Sequence, residues 1–284
     1  MHNRLGKPMT DQTLSRTLSE RESRLLSSLA AEGRTVFSVD DARAVLEPGG
    51  ADDADVRKVL HRLNRKRWIK RLQRGKYVIL PLAAGPDVEW AEHEYVIAAS
   101  LVEPYYLAYA TALHYYGYTE RSSDPLIVAT TRAKRPVTVD GRTYRFVTLR
   151  PYKFFGYETI SLGGDDVHMA EREKAIADGF DHPKLAGGVL EPAKGLWFGS
   201  HELDWQKLVS YTRRLRNQAA ARRLGYWLER LDLVREETLR QLEDGGAHSY
   251  ALLEPSGPRE GERNPRWRLI VNVPERQLLE WREH

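Results

Sequence analysis

The chain of 284 residues contains no cysteine and no long apolar run. The absence of cysteine excludes disulfides, thiolate zinc ligands and a cysteine nucleophile, and it fits a reducing compartment. A membrane helix needs about 20 consecutive apolar residues, and a signal peptide needs an apolar core that the polar first residues lack. We therefore predict a cytoplasmic protein that does not enter a membrane.

Basic residues are concentrated in one short part of the chain. The formal net charge is +4, yet residues 56–80 contain ten basic residues and no Asp or Glu, which leaves −6 for all other residues together. The ten are Arg57, Lys58, Arg62, Arg65, Lys66, Arg67, Lys70, Arg71, Arg74 and Lys76. A region of one sign attracts phosphates and releases their counterions on binding. This distribution indicates a nucleic acid as partner.

The N-terminal part reads as three helices followed by a hairpin. Ser19 with Glu22, Ser38 with Asp41 and Asp52 with Asp55 each have the spacing of a helix N-terminal cap. In the third predicted helix Val56, Val59, Leu60 and Leu63 form one apolar stripe, and basic residues occupy the opposite face. Two strands with a turn near Gly75 follow. This order is typical of a winged helix-turn-helix domain, in which the third helix enters the major groove of DNA.

We predict an α+β protein with a flexible tail at residues 1–14, a winged helix-turn-helix domain at residues 15–82 and a larger mixed α+β domain at residues 83–284. The predicted DNA-binding residues fall into two groups. On the recognition helix, Arg57, Lys58 and His61 are placed to read base edges, and Arg62 and Arg65 to hold phosphates. On the wing, the basic residues are Arg71, Arg74 and Lys76. The competing interpretation is a solvated helix face, and His61 could equally be a surface histidine with no role.

The C-terminal part groups its strands instead of alternating them with helices, which favours the α+β class. We predict a domain junction at residues 81–90, a helix at 107–116, and strands at 126–130, 136–139 and 144–149, with a hairpin turn at Asp140-Gly141. Helices follow at 170–177, 203–215, 219–231 and 235–242, and residues 254–265 are predicted to be a loop. The tyrosines of residues 105–118 are predicted to belong to the core.

Further basic residues in the C-terminal part could form a second nucleic-acid surface. One group lies on or beside the predicted hairpin and comprises Arg132, Lys134, Arg135, Arg142, Arg145, Arg150 and Lys153. Another comprises Arg213, Arg214, Arg216, Arg222 and Arg223, with no acidic residue between Asp204 and Glu229. The alternative, solvated charges with distant acidic partners, has at least equal weight for each residue taken singly.

The motifs of several enzyme classes are missing. The chain has no Walker-type phosphate loop, dinucleotide fingerprint, zinc-protease helix or hydrolase elbow. The best catalytic candidates are Glu171 and Glu173, which could hold a divalent metal in a nuclease. They flank Arg172 on a predicted helix, where alternate residues do not share a face. We therefore predict no enzymatic activity, no cofactor and no metal.

Several segments resemble the AbiEi family, the antitoxins of type IV toxin–antitoxin systems. The similarity covers most of the chain and involves residues 74–80, 106–120, 155–156 and 170–178, followed by Pro183 and Gly187-Gly188. Residues 110–113, Ala-Thr-Ala-Leu, depart slightly from the Ser-Ala-Leu helix of the family.

This resemblance implies a repressor that binds inverted repeats of duplex DNA at its own promoter. It also implies an antitoxin in phage defence that neutralises a nucleotidyltransferase-like toxin, in the usual account without a stable complex. The C-terminal domain of the family carries antitoxicity, with a basic surface implicated, and Glu171 then belongs to a structural helix. Two alternatives stay open: a DNA-acting enzyme targeted by the winged helix, such as a metal-dependent nuclease, and an antitoxin that binds its toxin directly.

Overall fold

A computed structural model describes residues 17–46, 53–80, 91–121, 124–139, 141–162, 165–243 and 249–282. The chain divides into two compact units, residues 1–93 and 94–284. The predicted tail, the domain boundary at residues 82–83, and the predicted turn residue Asp140 lie outside the described residues. The described residues form a mixed α+β fold with three sheets, as predicted for the fold class.

Unit 1 combines three helices with a small antiparallel sheet. Its elements are α1 (Glu20–Ala31), β1 (Val36–Ser38), α2 (Val39–Leu46), α3 (Asp53–Arg65), β2 (Ile69–Gln73) and β3 (Lys76–Ile79). The strand order is β1-β3-β2, and both strand pairs are antiparallel. The β2–β3 turn contains Gly75 at φ +79°, a left-handed conformation that glycine adopts without a steric penalty.

The helix caps predicted in unit 1 are confirmed where the structure describes them. At the start of α1, the Glu22 N–H donates to Ser19 Oγ at 3.4 Å and the Ser19 N–H donates to Glu22 Oε2 at 2.7 Å. Ser38 and Asp41 exchange the corresponding bonds before α2, at 3.1 and 2.7 Å. These reciprocal bonds satisfy N–H groups that have no partner within the helix. The cap at Asp52 lies outside the described residues.

The apolar stripe of α3 is the centre of the unit 1 core. Val56, Val59, Leu60 and Leu63 are at most 1% exposed and pack with leucines of α1 and with Phe37. Because the stripe occupies one side of α3, its basic residues are directed away from the core. The predicted helix and its orientation are therefore confirmed.

Unit 2 is built on a six-stranded mixed sheet. The strands are β4 (Tyr105–Leu107), β5 (Leu126–Thr130), β6 (Val137–Val139), β7 (Arg142–Thr148), β8 (Tyr157–Leu162) and β9 (Asp165–Ala170), in the order β6-β7-β5-β4-β9-β8. The pairs β5–β7 and β4–β9 are parallel, and the other pairs are antiparallel. Residues 131–136 therefore connect β5 to β6 across the carboxyl end of β7.

The remaining elements of unit 2 are mostly helical. The helices are α4 (Ala91–Leu101), whose first residues extend beyond the unit boundary, α5 (Ala110–Tyr115), α6 (Arg172–Asp181), α7 (Pro183–Ala186), α8 (Leu190–Phe198), α9 (Trp205–Arg214), α10 (Gln218–Arg230), α11 (Glu236–Arg240) and α12 (Glu275–Leu279). A small sheet contains β10 (Ala251–Leu252), β11 (Glu262–Asn264) and β12 (Leu269–Val271). Among the described residues, no helix is both long enough and apolar enough to cross a membrane.

Two predictions for unit 2 were wrong in part, and one helix was missed. The helix predicted at 107–116 is confirmed at Ala110–Tyr115, but Leu107 ends strand β4, because a short strand buried on both faces is apolar throughout and resembles a helix segment. The predicted loop at 254–265 contains β11, whose polar residues gave no strand pattern. Helix α8 was missed because it contains Pro192 and Gly195, two residue types that usually interrupt helices. Pro192 lies in the first turn, where a helix tolerates proline.

Candidate nucleic-acid interface

A concave surface of about 1070 Å³ lies on unit 1 between α2, α3 and the β2–β3 hairpin. It is lined by the outward face of α3 because the opposite face carries the apolar stripe. Of the described residues, six basic side chains line it, against one carboxylate, that of Asp40. The six are Arg43, Arg57, Lys58, Arg62, Arg71 and Arg74, and His61 and Asn64 lie among them.

The structure brings together six of the eight predicted DNA-binding residues. Arg57, Lys58, His61, Arg62, Arg71 and Arg74 all line the concave surface, whereas Arg65 and Lys76 do not. Arg65 is the last residue of α3. Lys76 begins β3 and pairs with Ser38 in the sheet.

Two of the predicted base-reading residues form ion pairs with carboxylates at the start of α3. Asp53 Oδ2 lies 3.8 Å from Arg57 Nη2, and Lys58 Nζ lies 3.0 Å from Asp55 Oδ1. The hydrogen bond from Lys58 lowers the pKa of Asp55. Arg57 and Lys58 nevertheless remain 73% and 67% exposed, so a ligand can reach them. Any phosphate or base that they contact must compete with an existing ion pair.

Three other arginines of the surface have no such competitor. Arg62 Nε donates to the Lys58 carbonyl at 3.4 Å, and Arg71 Nε donates to the Gln73 carbonyl at 3.4 Å. No carboxylate of the described residues forms an ion pair with Arg62, Arg71 or Arg74. These guanidinium groups are therefore the most available cations of the surface.

Arg43 is a surface residue that the sequence interpretation missed. Its guanidinium joins α2 to α3, because it donates to Asp40 and, at 2.6 and 3.0 Å, to Asp53 Oδ1. The hydrogen bonds to Asp53 and Asp40 raise the pKa of Arg43. The sequence contained a sign of its outward orientation, because Arg43 directly follows Ala42, which faces the core of the helix packing. Asn64 and Tyr77 were missed as well.

One member of the basic segment is directed to the protein interior. Lys66 Nζ donates to the Thr17 carbonyl at 2.8 Å and to Glu22 Oε2 at 2.7 Å, and Glu22 is fully buried. Burial alone would raise the pKa of Glu22, but the hydrogen bonds from Lys66 and Ser19 outweigh it and lower that pKa. Lys66 therefore connects α3 to the start of α1.

The structure divides the predicted second basic surface into exposed residues and residues that are buried or paired; among the latter, Arg142 binds Glu94 and Lys153 binds Asp181. Arg132, Lys134 and Arg135 follow β5, and Arg213, Arg214 and Arg216 lie at the end of α9, all at least partly exposed. Arg222 and Arg223 were wrongly grouped with them, because both are only 5% exposed and bind carbonyls. Arg223 donates to the carbonyls of Leu252, Leu253 and Phe180. Burial lowers the pKa of Arg223 to about 10.

The prediction that Glu171 and Glu173 lie on different faces of one helix was also wrong. Glu171 precedes α6 with an extended backbone, so the two residues are not both helical. Lys207 Nζ consequently lies 3.4 Å from Glu171 Oε1 and 3.1 Å from Glu173 Oε2. A lysine thus occupies the position between the two carboxylates. Within the described ranges, no group of three His, Asp or Glu side chains is arranged to hold a metal ion.

The tyrosine-rich segment is core, as predicted, except for the half-buried Tyr115 and Tyr116. Tyr105, Tyr106, Tyr109 and Tyr118 are at most 6% exposed. Tyr106 Oη binds a buried ion pair of α6, Lys174 with Asp178, at 3.0 Å from Lys174 Nζ and 3.1 Å from Asp178 Oδ2. This arrangement satisfies polar groups inside the unit and offers no surface for stacking bases.

Comparison with known proteins supports the fold alone. No protein-family model matches the chain, and no curated protein sequence matches it. Its structure is similar to the crystal structure of the Rv2827c protein from Mycobacterium tuberculosis, with a TM-score of 0.68 and 16% sequence identity. The similarity covers 95% of this chain and 97% of the Rv2827c chain.

Proposed function

We propose that unit 1 is a winged helix-turn-helix domain that binds duplex DNA. In this proposal α2 and α3 are the helix-turn-helix and the β2–β3 hairpin is the wing. The observation that carries the proposal is the concave surface, where, within the described part of unit 1, six basic side chains from α2, α3 and the hairpin face one carboxylate. Helix α3 is the recognition helix, and its exposed face enters the major groove.

The ion pairs of the surface suggest a division of roles. Arg62, Arg71 and Arg74 have no described carboxylate to displace and hold backbone phosphates, which fix the position of the protein without reading sequence. Arg57, Lys58 and His61 lie on the first half of α3 and contact base edges. Arg43 acts through Asp53, because it fixes the start of α3 relative to α2.

We further propose that the protein is a cytoplasmic repressor of its own operon and an antitoxin of the AbiEi type. The resemblance in residues 74–80, 106–120 and 170–178 supports this role. The protein would act without a cofactor and without enzymatic activity, on inverted repeats in its promoter. It would neutralise a nucleotidyltransferase-like toxin in phage defence.

The test is a fluorescence anisotropy titration with the DNA upstream of its gene, with scrambled competitor, at about 50 and 200 mM salt. Each neutralised phosphate contributes about −0.9 to the slope of log K against log salt. The three arginines without ion pairs therefore predict a slope of about −2.7 or steeper, which weakens binding about 40-fold over this salt range.

Arg62→Ala with Arg74→Ala should weaken binding to all duplexes alike and make the slope less steep by about 1.8. Arg24→Ala, an exposed arginine of α1 outside the concave surface, is the matched control and should change neither value. Unchanged affinity in the double variant would reject the proposed docking. Binding without preference over scrambled DNA would reject the repressor, and it would favour a role in targeting another activity to DNA.

A further inference from the structure

Unit 2 contains a group of arginines that lack the ion pairs found elsewhere in the unit. Arg142, Arg172 and Arg266 each bind glutamates, with shortest distances of 2.5 to 2.7 Å. By contrast, the exposed Arg213, Arg214 and Arg216 at the end of α9 form no ion pair with any carboxylate that the structure describes. Three neighbouring guanidinium groups without a counterion among the described residues attract an anionic ligand.

Two of these arginines lie on aromatic rings. Arg214 Cζ is 3.9 Å from the centre of the Phe155 ring, and Arg216 Cζ is 5.0 Å from the centre of the Tyr152 ring. Phe155 is itself buried and packs edge-on against Tyr211. The rings support the guanidinium groups from one side, so each exposed arginine presents its other side to solvent.

The backbone between α9 and α10 is held in place by further contacts. Arg216 has φ +56°, which is uncommon for a residue with a side chain, and its N–H donates to the Arg213 carbonyl at 3.0 Å. Asn217 caps α10 through Ala219 and donates to Asp181 Oδ1 at 2.7 Å. These contacts fix the segment from which the arginines project.

Two more arginines follow the carboxyl ends of the parallel strands β5 and β7. The Leu149 N–H donates to the Thr130 carbonyl at 2.7 Å, so the two chain ends are adjacent. Arg132 follows β5, and the exposed Arg150 follows β7, two residues before Tyr152. Neither arginine has an ion pair with a described carboxylate. We call this surface the basic edge, comprising Arg132, Arg150, Arg213, Arg214 and Arg216 with the rings of Tyr152 and Phe155.

We propose that the basic edge binds single-stranded nucleic acid. Guanidinium planes stack on unpaired bases, as aromatic rings do, and additional arginines neutralise the phosphates of the strand. A duplex hides its base faces within the stack and offers only phosphates to such a surface. The proposal concerns unit 2 alone and does not rest on duplex binding by unit 1.

The test uses the full chain with Arg62→Ala and Arg74→Ala, which removes basic groups of unit 1. Anisotropy is measured with labelled oligouridylate and oligothymidylate of about 12 nucleotides. Adding Arg214→Ala and Arg216→Ala should weaken binding of both strands at least about tenfold, or about 1.4 kcal/mol, because two stacking contacts are lost. Arg214→Lys with Arg216→Lys keeps both positive charges but removes the planar guanidinium groups, so this variant should recover only part of the affinity.

The control pair is Arg240→Ala with Arg282→Ala. Arg282 has the same geometry as Arg214, with Cζ 3.9 Å from the Trp197 ring, but it lies outside the basic edge. Provided that the arginine variants weaken binding, a preference for oligouridylate identifies RNA as the ligand and a preference for oligothymidylate identifies DNA. Equal affinity identifies a site that accepts either strand. If the alanine pair fails to fold by circular dichroism, the lysine pair carries the test.

Three results would overturn the proposal. In the first, the arginine variants bind both strands as tightly as their parent. In the second, the control pair loses as much affinity as the variants. In the third, polyglutamate displaces the oligonucleotide at the same charge concentration, which would assign the surface to an acidic protein.

Discussion

Replacement of Asp178 by asparagine tests the buried ion pair in unit 2. Asp178 is 1% exposed and Lys174 is fully buried one helical turn earlier in α6. Lys174 Nζ donates to Asp178 Oδ1 and, at 3.0 Å, to Tyr106 Oη, which in turn donates to Asp178 Oδ2 at 3.1 Å. Burial raises the pKa of Asp178 and lowers the pKa of Lys174, while their mutual attraction opposes both shifts. Asparagine keeps an acceptor for Tyr106 but leaves the lysine without its counterion.

Removing one partner of a buried ion pair costs about 3 to 5 kcal/mol, because the other charge stays buried without compensation. We expect Asp178→Asn to lower the free energy of unfolding of unit 2 by about 3 kcal/mol, the lower end of that range. Lys174→Met should cost a similar amount. The double variant removes both charges, so it should cost no more than either single change, with a coupling free energy of about 3 kcal/mol or more.

Urea unfolding followed by tryptophan fluorescence measures this loss. Five of the seven tryptophans belong to unit 2, and Trp227 and Trp267 are at most 1% exposed. Glu202→Gln is the control, because it breaks an exposed pair with Arg172 and should cost less than about 1 kcal/mol. A loss below about 1 kcal/mol for Asp178→Asn, or strictly additive losses in the double variant, would refute the reasoning.

Two further changes test the packing and the acid sensitivity of the units. Gly225→Ala would place a Cβ 2.0 Å from the Trp267 ring, so we expect thermal melting to show a loss of about 1 to 3 kcal/mol. Gly195→Ala, whose nearest neighbour would be Ile176 at 3.2 Å, should cost less, and equal losses would contradict this explanation. The pKa of Glu22 lies below its usual 4.5 in the folded protein, so its stabilisation is complete above pH 4.5 and is lost as the pH falls through the folded pKa. Hydrogen exchange in α1 should therefore accelerate on acidification, and Glu22→Gln should reduce that pH dependence; an unchanged dependence would assign the acid sensitivity to another group.

Local patterns were enough to predict much of unit 1. The Ser19–Glu22 cap, the apolar stripe of α3 and the turn at Gly75 each depend on residues within a few positions of one another. Helical periodicity also separated the buried face of α3 from its basic face. For this reason six of the eight predicted DNA-binding residues lie on one concave surface.

Contacts between distant residues decided the rest. The chain order does not reveal that Arg43 shares Asp53 with Arg57, or that Lys66 reaches Glu22. A run of arginines looks uniform in sequence, yet Arg223 binds backbone carbonyls inside the unit and Arg214 stays exposed on a ring.

The same limit explains the wrong predictions in unit 2. Residues 105–107 are a strand because β5 and β9 lie on either side of them, and no local period records those neighbours. Glu171 and Glu173 converge because Glu171 precedes its helix and Lys207 arrives from α9. Short-range periodicity determines which face of a helix is apolar, whereas the partner of a charged side chain depends on which elements pack together in three dimensions.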